Sequence, residues 1–310
     1  MSEVKKCDNC IFQSGRPEFD LKRCKRCSRT EKALFEPIPT AADLMESFMM
    51  KGTYPTLKLY EKHLKQVKDT LKSKLLSSEE RRHEFNEVNL VAKFVPKKIS
   101  DIDYVGLNTY LEDLGLLAHI LEIDHKRVKK EPMILEQLKA YQLEPTHYVK
   151  PSFNKLGKSL NQVPELKNEG WSVEELAFTC STMDAKYSSY KKQYETLKEE
   201  MIKCEKLKTD KKLAYKYGSV SLVNNAPLYD IASIYNEMGS DLLIEYGKPN
   251  HEQLQYFMTR GMLTKNDIEQ FKTVKDIALE FVVMDLDSER RIIEAFQRRQ
   301  MQAAQNRLRA

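Results

Sequence analysis

The chain has 310 residues, a net charge of +5, and 31% charged against 41% apolar residues, enough for two ordinary domains with a buried core. It has no run of about 18 apolar residues, and residues 1–6 are polar with no apolar stretch after them, so neither a membrane-spanning helix nor a secretory leader is expected. Six cysteines, four of them at metal-ligand spacing, fit a reducing, intracellular setting better than a disulfide scaffold.

Cys7, Cys10, Cys24 and Cys27 form two Cys-x-x-Cys pairs, a spacing that lets four thiolates close around one tetrahedral ion. Zn2+ is the expected metal, because a closed mononuclear thiolate site needs no redox role. Between the pairs, Gly15, Arg16 and Pro17 mark a turn, and residues 28–36 read as one or two helical turns. Two knuckles, a hairpin between them and a helix after the second resemble the treble-clef class of zinc finger over residues 5–36. The first finger of nuclear receptors has the same cysteine spacing. The resemblance implies a module at 1–36 built on one structural zinc. Lys22, Arg23, Lys25, Arg26, Arg29 and Lys32 crowd the second pair against Asp20, Glu31 and Glu36. On a helix Lys25, Arg29 and Lys32 share a face. That face suits backbone phosphates, or it compensates the negative charge of a zinc tetrathiolate.

From Thr40 onward the pattern predicts an all-α fold, a multi-helical body with one long coiled-coil-like helix. Residues 37–167 form its first helical domain. Thr40 can cap a helix over 41–50, and Leu57, Tyr60, Leu64, Val67 and Leu71 recur at steps of three and four. A further helix begins near Ser77 or Ser78, presents Phe85, Val88, Val91 and Phe94, and ends at Pro96. An apolar cluster follows over 100–123, and Pro132, Pro145, Pro151 and Pro164 divide the next segment into short helices.

Residues 168–209 hold the best-defined helix. Val173, Leu176, Cys180, Met183, Tyr187, Tyr190, Tyr194, Leu197, Met201 and Cys204 follow a seam of alternating three- and four-residue steps, and Ser172 supplies its cap. The seam awaits a partner strand from this chain, from another copy or from another helical protein. Its tyrosines could stack on bases, but their unbroken spacing favours a core. Cys180 and Cys204 would lie about 36 Å apart along a straight helix, too far for a disulfide.

Residues 210–310 read as a C-terminal helical region with turns at Gly218 and 224–227. Helices are expected over 228–238, 251–260 and 264–284, the last with Ile268, Phe271, Val274, Ile277, Ala278 and Phe281 on its inner face. No arginine occurs between Arg127 and Arg260, yet Arg290, Arg291, Arg298, Arg299, Arg307 and Arg309 gather at the end, opposed there by Glu294. Ile292, Ile293 and Phe296 should dock this tail on the body.

Catalytic motifs are missing. Gly157, Lys158 and Ser159 lack the strand and the earlier glycine of a phosphate loop, and His119, Asp124 and His125 complete no site. The leading expectation is a non-enzymatic nucleic-acid-binding accessory or regulatory protein, holding DNA or RNA backbone through Lys22, Arg23, Lys25, Arg26, Arg29, Lys32 and Arg290, Arg291, Arg298, Arg299. The alternative is a zinc-stapled adaptor whose seam recruits a helical partner or a second copy. A zinc module ahead of helices also resembles the basal transcription factor B family, although no repeat of about ninety residues is visible.

Overall fold

The structure, a computed structural model, describes residues 38–309. In chain order it forms α1 (Ala41–Met50), α2 (Thr53–Leu75), β1 (Arg82–Phe85), β2 (Leu90–Ile102), α3 (Tyr104–Asp113), α4 (Leu117–Ile120), β3 (Leu121–Ile123) and α5 (His125–Val128). There follow α6 (Pro132–Leu138), β4 (His147–Phe153), α7 (Lys155–Leu160), α8 (Val173–Ile202), α9 (Glu205–Asp210), β5 (Lys212–Tyr215) and β6 (Gly218–Asn224). The last elements are α10 (Ile231–Met238), α11 (Asp241–Tyr246), β7 (Gly247–Pro249), α12 (His251–Thr259), α13 (Lys265–Glu269), β8 (Lys272–Asp285) and α14 (Leu286–Arg309).

The all-α expectation is corrected to a mixed α/β fold, because the described residues carry three sheets, ordered β1-β2-β8, β3-β7 and β4-β6-β5. The largest differences are β2 and β8, both read above as helical. Their apolar positions fit three- and four-residue steps, but Val91, Val95, Ile99, Val274, Ile277, Val282 and Val283 are β-branched and pack well on a pleated surface once a partner strand is present. Pro96, expected to end a helix, lies inside β2. The Phe94 amide donates to Arg81 O at 2.8 Å, so two residues on the Pro96 nitrogen faces the same side, where β1 has already ended. A missing N–H is tolerated on that open side.

The chain divides into two compact units. Among the described residues the first comprises 38–58, Tyr148–Val163 and Tyr190–Val223. Within it Thr40 and Asp43 form a capping box at the start of α1, and Ala41, Met45 and Met49 are buried. The β5–β6 hairpin is antiparallel, and the Glu46 carboxylate of α1 accepts from the Lys216 amide at its turn, at 3.1 Å. Gly218 adopts φ +156°, and a Cβ there would fall 1.9 Å from Ser152 O. Only glycine lets β6 come so close to the β4 backbone.

The second unit comprises Leu59–His147, Pro164–Ser189 and 224–309, and it contains two hydrophobic clusters. One joins Leu64, Val67, Leu71 and Leu75 of α2 to Leu176 and Cys180 of α8, and to Ala92 and Phe94 of the β1-β2-β8 sheet. The other gathers Leu107, Leu111, Leu117, Ile120, Leu138, Ile234, Leu243, Leu263 and their neighbours. Within this second cluster the buried Asn108 donates from Nδ2 to the carbonyls of Ile244 and Gly247, each at 3.0 Å. It thereby satisfies acceptors left over at the end of α11.

Between the clusters runs the antiparallel β2–β8 ribbon, paired from Leu90 with Asp285 to Ile102 with Lys272, with one register shift at Ile99/Ser100. Its far end enters the second cluster through Ile102 and Phe271. Lys275–Asp101 and Lys97–Glu280 ion pairs cross the ribbon. Helix α14 leaves the near end, where Asp285 accepts from the Ser288 amide at 2.7 Å. Hydrogen bonds from Ser288 hold the Asp285 carboxyl below its usual range. One turn on, the buried Glu289 accepts from Arg82 Nη2 at 2.7 Å and from Lys93 Nζ, tying α14 to both β1 and β2.

These charged hydrogen bonds, from Arg82 first and then Lys93, hold the Glu289 carboxyl below its usual range. Its stabilisation is therefore present above the unfolded value of about 4.3 and fades as pH falls through the folded value. Glu289→Gln should lower stability by about 2 kcal/mol at pH 7, with the difference from wild type narrowing below about pH 4.3. Urea unfolding over a pH series measures this, and a pH-independent difference would contradict the assignment. Burial pushes the Cys180 thiol up to about 11, so at pH 8 iodoacetamide should label it only when urea is present. Peptide mapping that finds Cys180 alkylated in the native protein would refute its place in the core.

Candidate interaction surface

The residues singled out from sequence fall into three groups. Cys7, Cys10, Cys24 and Cys27, with Lys22, Arg23, Lys25, Arg26, Arg29 and Lys32, lie outside the described residues.

The second group is the α8 seam. In the second unit Leu176 and Cys180 are buried in the cluster with α2, and Val173, Met183 and Tyr187 pack against the same cluster. In the first unit Tyr194 meets Tyr54 edge to face at a centroid distance of 5.2 Å and stacks on Phe48 at 6.0 Å. Leu197 and Met201 are buried, Tyr190 is half-buried, and Cys204 Sγ accepts from the Ala41 amide at 3.4 Å. Residues 173–187 of the seam thus face this chain's own α2 and sheet.

The third group is the arginine set on α14. Arg290 lies 3.5 Å from Asp287, Arg291 3.8 Å from Asp285, and Arg298 3.9 Å from Glu294, all with exposed side chains. Exposed pairs of this kind hold their partners weakly and exchange readily. Arg299 is also exposed.

Sequence reasoning missed what lies beside these arginines. Ile292, Ile293 and Phe296 do not dock on the body as expected, being 58%, 49% and 60% exposed. Steps of three, four and seven from Glu289 place all three on the face through which Glu289 reaches the sheet. Further along, α14 is fixed again where Asn306 Nδ2 donates to Thr259 O of α12 at 3.0 Å. The helix is held near both ends, about 25 Å apart by helical rise, while its middle keeps an uncovered apolar stripe.

The ribbon adds to this. Phe94 and Phe281 pair on the face turned to α2 and α8, with ring centroids 5.0 Å apart. Continuing along that face, Pro96 pairs with Leu279 and Lys98 with Ile277, beyond the cover of the cluster. Val95 and Ile99 occupy the other face, the one that carries Lys93 and hence Glu289. Val95, Ile99, Val274, Ile277 and Leu279 are all exposed. A two-stranded ribbon has no second layer to bury both faces. A signal for this was present: β-branched residues interleaved with charges on segments flanked by long separations in sequence.

A groove of about 630 Å3 opens between α2 and residues 279–283 of β8. Glu61, Asp69 and Glu280 offset Lys65, Lys68 and Lys72 along it, and Lys68 pairs with Asp184 at 3.1 Å, so charge selects no particular occupant. Tyr229 OH lies 3.0 Å from His125 Nδ1, while His119 packs against Phe257. Among the described residues no group of three or more His, Cys, Asp or Glu could hold a metal ion, and no helix is long and apolar enough to cross a membrane.

Comparison of the chain with protein-family models, with curated proteins and with solved structures gives no significant match. The treble-clef resemblance over residues 5–36 is accordingly corrected: no family model supports it, and the described residues supply no metal-binding group.

Proposed function

We propose that this protein is a protein-interaction adaptor, with its partner surface on the β2–β8 ribbon and α14. The observation that carries this reading is the concentration of exposed large apolar side chains there: Val95, Ile99, Val274, Ile277 and Leu279 on the ribbon, and Ile292, Ile293 and Phe296 on the helix. Val95 and Ile99 lie on one face of the ribbon and Ile277 and Leu279 on the other, and apolar surface left open on a folded chain marks an interaction site more often than an accident of packing. The reading moves the contact surface away from the α8 seam, much of which is engaged within the chain.

Cross-linking of the full chain in its native extract should place cross-links on residues 272–301. Two double variants, Ile277→Ser with Leu279→Ser and Ile292→Ser with Phe296→Ser, should each reduce recovery of the cross-linked partner several-fold. Since these positions are exposed, stability should change by no more than about 0.5 kcal/mol per site. Sedimentation of the protein alone separates a second copy from a different partner. Unchanged recovery with both variants would sink the proposal.

A second reading, nucleic-acid binding, is favoured by one observation: the α14 arginines are exposed and hold their carboxylates at 3.5–3.9 Å, so phosphate could replace those partners. It predicts affinity for duplex DNA or RNA that falls steeply with salt, with a shallower slope after Arg290→Ala and Arg299→Ala. Salt-independent affinity would dismiss it. Binding of one Zn2+ by Cys7, Cys10, Cys24 and Cys27 is a separate proposal from cysteine spacing. Metal analysis of the purified full chain against Cys24→Ser tests it, and equal zinc in both would refute it.

A further inference from the structure

We propose that the α14 stripe is the docking site for an acidic amphipathic helix of a partner protein, an inference that rests on the adaptor reading and names its partner class. Ile292, Ile293 and Phe296 supply an apolar seam at helical spacing, the pattern that a partner helix covers with its own apolar face. At about 100° per residue, Arg299 borders this seam beside Ile292 and Arg290 borders it beside Ile293. Arg290, Arg291 and Arg298 hold Asp287, Asp285 and Glu294 at 3.5–3.9 Å through exposed side chains, pairs that a partner's carboxylates can replace. An occupant that meets the seam with apolar residues and its borders with carboxylates satisfies both.

The same arginines argue against a second copy of α14. A second α14 carries the same six arginines against three acids, so two such helices repel in either orientation. Neither phosphates nor a bilayer fits as well. Phosphates leave the aliphatic seam wet. A flat membrane is held off because the seam shares its face with Glu289, which is bound to Arg82 and Lys93. A single helix, about 10 Å across, can lie along a helix where a plane cannot.

The test uses the full chain and two labelled 18-residue helical peptides, identical in their leucine seam, one with glutamate and one with lysine at the remaining positions. Fluorescence anisotropy at physiological salt should show the glutamate peptide binding at least tenfold more tightly than the lysine peptide. Arg290→Glu with Arg299→Glu should invert this preference, and Ile292→Ser with Phe296→Ser should weaken the glutamate peptide at least tenfold, with unchanged circular dichroism and melting. Equal binding of both peptides, or a preference that survives the charge exchange, overturns the proposal. Tighter binding to duplex DNA or to anionic phosphatidylserine vesicles, with the same sensitivity to these substitutions, overturns it in favour of those ligands. If α14 fails while cross-linking still depends on Ile277 and Leu279, the docking proposal falls and the adaptor reading stands. If both fail, neither survives.

Discussion

The second unit depends on one ladder, β2 against β8. Its thirteen register pairs join residues 90–102 to 272–285 and close everything between them into a loop. The entropy of closing a loop grows only logarithmically with its length, so a long, cooperative ladder can offset it. Once it is in place, later pairings are nested inside it. β3 meets β7, and Gln142 bridges to Tyr229, each in the same antiparallel sense and each closing a shorter loop than the one before. The two limbs of the chain hardly slip in register along this series. This is why the second cluster can draw α3 and α4 from one limb and α10 and α11 from the other.

The ladder also sets a problem that α14 answers in part. A strand pair that bridges two hydrophobic clusters is covered only at its ends, and a two-stranded ribbon is marginal by itself. Helix α14 starts where the ribbon meets the sheet, is bound there through Glu289, and is bound again at Thr259. It acts as a second connection between the same two clusters. Because the arginine and lysine holding Glu289 come from different strands, the carboxylate reports whether β1, β2 and α14 are assembled together. The ion pairs Lys97–Glu280 and Lys275–Asp101 occupy the exposed stretch of the ribbon. Charge on an open strand discourages edge-to-edge pairing with other chains, so the apolar residues that remain there stand out more clearly.

Much of the helical content was legible in the sequence. The capping pattern at Thr40, the apolar steps in α2 and the seam of α8 are local signals, and local signals survive into the fold. Gly239, at φ +81°, ends α10 where the expected helix over 228–238 also ended. The strands were not legible. In β8 the spacing of Val274, Ile277, Ala278 and Phe281 matches a helix face as well as a strand, and the arbiter is a partner segment about 180 residues away, which no window of periodicity contains. Pro96 misled for the same reason. A proline ends a helix past its first turn, but it ends a strand only where its nitrogen faces a neighbour, and that depends on where the β1 pairing gives out.

The candidate surface shows the same division between pattern and placement. The stripe Ile292, Ile293, Phe296 was visible as an amphipathic helix, and the ordinary inference from such a stripe is that it faces the core. Periodicity gives the direction of a face and not the distance to whatever lies opposite. Here Glu289 fixes the direction inward and Asn306 fixes the far end, yet the side chains between them stay more than half exposed or nearly so, because the helix is anchored by polar contacts at its ends and not by its apolar middle. An amphipathic helix that docked through its stripe would be buried along that stripe first. One that docks through charge and a terminal amide leaves the stripe free for another molecule, and the arginines on its borders then decide which molecules can use it.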